Sequence, residues 1–229
     1  MMLAIPAVLD AAQVAALRDR LLGSDAWVDG RATAGWQGAP VKRNQQIDEG
    51  SQVAAQAQRV VLQALESHPL FISAALPNRV YPPMFNRYGE GMAFGAHVDG
   101  GVRLDPRTGA KLRTDLSATL FLSGPEDYDG GELEIADAYG VQAVKLNAGD
   151  LILYPASSLH QVTPITRGER LASFFWIQSL VREDSRRKIL FDLDQAIQAL
   201  NRADSAADEA ARAGLVGCYH NLLREWAEA

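Results

Sequence analysis

A chain of 229 residues with 48% hydrophobic side chains suits one domain, or one domain with an appendage, around a full core. Its net charge of −6 argues against non-specific binding of nucleic acid, which needs a basic face; the basic stretch Arg103–Arg113 reads as a solvated loop. The single cysteine, Cys218, excludes an intramolecular disulfide and a zinc–thiolate cluster, and no basic leader or run of 18 apolar residues suggests a signal peptide or membrane span, so a reducing cytoplasm is expected.

Leu3-Ala-Ile5 reads as a short strand. Asp10 is a plausible N-cap for a helix to about Leu22, with Val14, Leu17 and Leu21 on one face. Residues 29–50 are rich in glycine and polar side chains and read as loop or irregular strand. A second helix is expected from about Ser51 to Glu66, facing the core with Val53, Ala57, Val60, Val61 and Leu65. His68 lies past its end as a surface or capping residue.

From Arg79 the texture changes to short apolar runs punctuated by Gly, Asp, Asn and Pro. Strands are expected near 80–88, 94–97, 116–123, 132–136, 141–146, 151–154, 159–165 and 171–181. Many short strands at near-regular spacing predict a mainly β fold with flanking helices, a sandwich or jelly roll. After Val181 the period becomes helical: Ile189, Leu190, Leu193, Ile197 and Leu200 repeat on one face. Asp204 or Ser205 can cap a last helix carrying Leu215, Cys218, Tyr219, Leu222, Leu223 and Trp226 as a stripe. The expected organisation is a catalytic domain over residues 1–182, with its β core at about 79–182, and a C-terminal helical extension over 183–229. That extension packs on its own chain or mediates a homodimer.

Four residues ask for one explanation. His97 and Asp99 stand two apart before a glycine turn, His160 follows 63 residues later, and Arg170 comes ten residues after it. Two histidines and one carboxylate can occupy one face of an octahedral ion, the facial triad of non-haem Fe(II) oxygenases, leaving open positions. The turn Thr166-Arg-Gly-Glu169 would bring Arg170 back beside His160, where a guanidinium suits the distal carboxylate of a dicarboxylic co-substrate. Asn86, Gln45 and Trp176 are candidates for the pocket wall.

In order, Arg87-Tyr-Gly-Glu-Gly-Met-Ala-Phe-Gly-Ala-His97-Val-Asp99, Asp129-Gly-Gly-Glu-Leu, Gly149-Asp-Leu-Ile-Leu-Tyr-Pro-Ala-Ser-Ser-Leu-His160 and Gly168-Glu-Arg170 resemble the prolyl-4-hydroxylase-type branch of the Fe(II)/2-oxoglutarate dioxygenases. More narrowly the chain is similar to the bacterial PKHD-type hydroxylases, including those called iron-uptake factor PiuC; Lys42-Arg-Asn-Gln-Gln46 and the C-terminal helices share in that likeness. The resemblance implies a double-stranded β-helix, Fe(II) on His97, Asp99 and His160, 2-oxoglutarate with its far carboxylate on Arg170, and ascorbate sustaining turnover. It also implies that Tyr88 hydrogen-bonds the 2-oxoglutarate carboxylate, and that the partners are O2 and a small-molecule or peptide substrate, with a possible link to iron uptake. Phe94 stands where many prolyl hydroxylases have tyrosine, which weighs against a prolyl-peptide substrate. Two readings from outside this family use the same ligands: a cupin-like hydrolase or isomerase, and a non-catalytic metal or 2-oxoglutarate sensor.

Overall fold

The computed structural model describes residues 1–36, 38–202 and 209–228. After β1 (Leu3–Ile5), helix α1 (Ala11–Leu22) starts in a capping box. The Asp10 carboxylate accepts from the Gln13 amide at 2.8 Å, and the Gln13 side chain accepts from the Asp10 amide at 2.9 Å. Strand β2 (Trp27–Asp29) leads into the stretch expected as loop or irregular strand, and within that stretch lie two more short strands, β3 (Lys42–Arg43) and β4 (Gln45–Ile47). They are too short to show a period, and pairing with other strands decides them. Helix α2 (Gln52–Glu66) is capped by Ser51, which accepts from Ala54 N at 3.1 Å. An unforeseen helix α3 (Pro69–Ala75) follows, with His68 as its N-cap and proline at its first turn.

The β body runs through β5 (Pro77–Val80), β6 (Met84–Tyr88), β7 (Ala93–His97), β8 (Val102–Leu104), β9 (Lys111–Arg113) and β10 (Leu116–Phe121). It continues as β11 (Tyr128–Gly130), β12 (Leu133–Asp137), β13 (Gly140–Val144), β14 (Leu151–Pro155), β15 (His160–Val162), β16 (Ile165–Gly168) and β17 (Arg170–Ser179). The expected strand 80–88 divides at Pro82-Pro83, and the expected 159–165 divides at Pro164, because proline cannot donate to a ladder. Arg103–Arg113 is a hairpin of β8 and β9 rather than a loop.

Most strands form two facing layers of antiparallel pairs, the jelly-roll arrangement of the fold class read from the sequence, while β11–β16 and β8–β9 make separate two-stranded pairs. One sheet has the order β1-β14-β10-β17-β6-β4-β2, with β5 beside β17; the other is β13-β12-β15-β7-β3. Helices α1, α2 and α3 pack on the large sheet: Leu17, Leu21, Val61, Leu65 and Phe71 share a core with Leu120, Leu153 and Phe175. A second core between the sheets holds Tyr88, Phe121, Tyr128, Ile135, Ile152 and Ile165. Strands β10 and β17 are therefore buried on both faces, and the polar side chains they carry, Ser117, Thr119, Arg170 and Ser173, are buried with them.

Helices α4 (Asp184–Arg202) and α5 (Glu209–Trp226) form the C-terminal pair. The expected cap at Asp204 or Ser205 lies outside the described residues. Leu76, Val181 and Leu190 make a small core, against which Tyr219, Leu222, Leu223 and Trp226 pack. Two expected members of these stripes, Ile189 and Cys218, are exposed instead. A helix that leans on its neighbours along one narrow line buries less than its full apolar face. The pair is tied down where Glu228 donates its amide to Leu180 O at 2.7 Å and accepts from Arg113 at 2.7 Å. Among the described residues no helix is long and apolar enough to cross a membrane.

Candidate functional site

His97 is the last residue of β7 and His160 the first of β15, and the two sit opposite one another in the antiparallel ladder. The register shifts just beyond this pair, so the ladder opens at the two candidate ligands. Their ring centroids are 4.2 Å apart. Asp99 follows two residues after β7, and its carboxylate comes within 3.7 Å of His160 Nε2. One donor atom from each of His97, Asp99 and His160 lies within 4.8 Å of the others, the spacing of ligands around one ion.

The second contacts of these side chains fix which atoms are offered. His97 Nδ1 lies 2.8 Å from Gly95 O, and His160 Nδ1 lies 3.0 Å from Ser158 O. A carbonyl only accepts, so each Nδ1 carries the hydrogen and each Nε2 keeps its lone pair. Burial, and then the neighbouring His160, push His97 down to about 4, so it is neutral at pH 7 as a metal ligand must be. Ser117 on β10 donates its hydroxyl to Asp99 at 2.6 Å. Phe94 stacks on the His97 ring at 3.6 Å, and Tyr154 meets His160 edge-on at 5.3 Å. Phe94 thus supplies a packing surface where a tyrosine would supply a hydroxyl.

Arg170 opens β17, directly across from Tyr88 on β6. Gly168 sets this return. Its φ of +77° suits glycine, and a side chain there would meet Asp127 O at 2.1 Å. Arg170 is only 1% exposed, and among the described residues no carboxylate lies within ion-pair distance of it. Its guanidinium sits 5.5 Å from the Tyr88 ring and 5.2 Å from the Phe121 ring, and its Nε makes no hydrogen bond. A buried cation of this kind is costly unless an anion joins it. Burial pushes the Tyr88 phenol up to about 12, so it is a hydrogen-bond donor at neutral pH.

His97, Asp99, His160, Arg170 and Tyr88 all line one cavity of about 1080 Å³. Asn86 and Trp176 line it as expected, whereas Gln45 does not. Gln45 instead accepts from Arg87 at 2.7 Å, on the same sheet. Lys42, Arg103, Ser117 and Tyr154 line the cavity without having been singled out as site residues. Lys42 lay in a polar stretch with no visible period, and Ser117 became relevant only once β10 faced Asp99.

Residues 83–178 match the 2OG-Fe(II) oxygenase superfamily, and residues 184–228 match the PKHD-type hydroxylase C-terminal domain. The chain is 68% identical to a PKHD-type hydroxylase of Burkholderia ambifaria and 66% identical to one of Cupriavidus pinatubonensis, in each case over all of both chains. Among solved structures, a prolyl-4-hydroxylase of Pseudomonas putida superposes with a TM-score of 0.54 at 25% identity, covering 78% of this chain and 92% of its own.

Proposed function

The chain belongs to the PKHD-type hydroxylases of the 2OG-Fe(II) oxygenase superfamily, and from that premise we propose that His97, Asp99 and His160 hold its ferrous ion while Arg170 and Tyr88 hold 2-oxoglutarate. It is a 2-oxoglutarate-dependent dioxygenase with Fe(II) as its metal. The observation that carries the residue assignment is the convergence of three donors within 4.8 Å, in a cavity also lined by a buried guanidinium that lacks a carboxylate partner among the described residues. The donors are two neutral imidazoles and one carboxylate, a set that suits Fe(II) with open positions.

When bound, iron and 2-oxoglutarate supply the oxidising chemistry, in which the co-substrate loses CO2 to become succinate and the substrate gains a hydroxyl from O2. The chain's own residues supply geometry. Gly95 O and Ser158 O orient the two imidazoles, and Ser117 orients the Asp99 carboxylate. Arg170 provides the cation for the distal carboxylate of 2-oxoglutarate, and Tyr88 adds a neutral donor beside it. Phe94, Phe121 and Tyr154 surround these groups with apolar surface that restricts water. A cupin-like hydrolase or isomerase would use the three ligands but leave Arg170 buried without purpose, and a sensor would bind 2-oxoglutarate without decarboxylating it.

In this reading the partners are O2 and a small-molecule or peptide substrate, and ascorbate keeps the iron ferrous. The cytoplasm suits a chain with one exposed, reduced cysteine. A homodimer would form through the C-terminal helices, where Ile189 and Val216 remain exposed.

The assignment is tested by adding Fe(II) and 2-oxoglutarate anaerobically to the purified protein and recording the visible charge-transfer band of the chelate. The band is expected in the wild type, absent in His97→Ala and Asp99→Ala, and shifted to at least about tenfold higher 2-oxoglutarate in Arg170→Ala. An unchanged requirement in Arg170→Ala would remove that residue from its role, and full turnover in either ligand variant would remove the triad.

A further inference from the structure

We infer that the substrate presents a carboxylate, and that Lys42 and Arg103 receive it in a subsite distinct from the one that takes 2-oxoglutarate. The inference rests on the assignment of Arg170 to 2-oxoglutarate.

Lys42 is 3% exposed and lines the cavity. Its ammonium has Thr33 Oγ1 as a hydrogen-bond partner at 3.2 Å, which leaves two of its three N–H groups to be used. It lies 5.1 Å from the Phe94 ring and 5.7 Å from the Phe174 ring, and among the described residues no carboxylate comes within ion-pair distance. The two rings offset only part of the desolvation, since a cation–π contact contributes about 0.5–2 kcal/mol. Burial, and then the nearby Arg103, lower Lys42 to about 8, against the opposing pull of Asp99, Glu49 and Asp29; it is still protonated at pH 7. Of the opposing groups, Asp99 is a proposed metal ligand, Asp29 is paired with Arg31, and Glu49 accepts from Tyr81 at 3.3 Å.

Arg103 stands on the same cavity, its guanidinium 3.9 Å from the Trp176 ring and 5.2 Å from that of Tyr81. Trp176 is 4% exposed, and its indole N–H is a buried donor with no acceptor. The cavity wall thus carries three cations, Lys42, Arg103 and Arg170, and one anion, Asp99. Fe(II) and doubly charged 2-oxoglutarate cancel each other, so the loaded cavity keeps a positive excess within a chain whose net charge is −6. Position separates the two anion subsites. Phe174 and Trp176 lie four and six residues along β17 from Arg170, or roughly 13 and 20 Å at about 3.3 Å per residue. A carboxylate seated by Lys42, Arg103 and the Trp176 indole would therefore belong to a second molecule.

The test uses full-length protein loaded with Mn(II) and 2-oxoglutarate, titrated calorimetrically with N-benzoylglycine and with its uncharged amide. The acid is expected to bind at least about tenfold more tightly than the amide, a difference of about 1.4 kcal/mol. That preference should fall at least about threefold in both Lys42→Met and Arg103→Gln. Equal binding of acid and amide, binding of neither, or an unchanged preference in both variants would overturn the inference. Wild type that takes up no 2-oxoglutarate overturns the assignment beneath it and the inference together. Thermal melting of the metal-free protein gives a separate reading, because Lys42→Met removes an unpaired buried charge at nearly constant volume and should keep or raise Tm. A fall of more than about 5 °C would mark Lys42 as a structural cation and overturn its role in binding.

Discussion

Ser117 donates its hydroxyl to Asp99 at 2.6 Å from the opposite sheet, and this contact holds the carboxylate in the orientation that faces the two imidazoles. Ser117→Ala should weaken metal affinity by about 10–100-fold, the usual effect of losing a hydrogen bond behind a metal ligand. A Mn(II) titration of wild type and variant at fixed pH measures it, and equal affinities would show that Asp99 is held by the backbone turn alone. The three proposed ligands were legible as candidates because His-x-Asp and a later His have few other joint explanations, and the fold brings their donor atoms within 4.8 Å of one another. Ser117 was not, because a serine within an apolar strand acquires meaning only from what the facing sheet brings to it. Gln45 shows the reverse: a polar residue near the motif points along its own sheet to Arg87, and no local pattern reveals that direction.

At the scale of elements, the turn from β16 to β17 depends on Gly168. Gly168→Ala combines a left-handed backbone conformation with a close approach to Asp127 O, and should destabilise the protein by about 2–3 kcal/mol. Urea unfolding measures the loss. The same variant should raise the 2-oxoglutarate requirement, since Arg170 begins the strand that this turn aims; a stable variant with normal affinity would show that β17 sets Arg170 without help from the turn. Helices α1 and α2 were readable from cap and period, because Asp10 and Ser51 announce starts that short-range hydrogen bonds then confirm. Strands β2, β3 and β4 were not, because two or three residues form a strand only where a partner edge accepts them.

For the whole molecule, the C-terminal pair closes the end of the fold near Leu76 and Val181. We propose that residues 183–229 act as a docked extension of a dioxygenase domain over 1–182. A chain ending at Arg182 would uncover Leu76 and Val181, lose the Arg113–Glu228 ion pair and free the N-terminal amine from Asp184. It should melt at least about 5 °C lower and aggregate on concentration, as measured by thermal scanning and light scattering. A truncated chain as stable and soluble as the full one would show that the helices serve another purpose than covering this surface.

The sequence by itself determined the jelly-roll class, the three metal-ligand candidates, the arginine and the helical C-terminus, because each is written in residue type, order and period. Only the tertiary structure decided which side chains share the cavity. Lys42, Arg103 and Trp176 come from three segments far apart in the chain, and their meeting depends on β3 pairing with β7, the β8–β9 hairpin lining the cavity and β17 spanning the sheet. Strand pairing joins residues by register across the sheet, while sequence motifs record only separation along the chain.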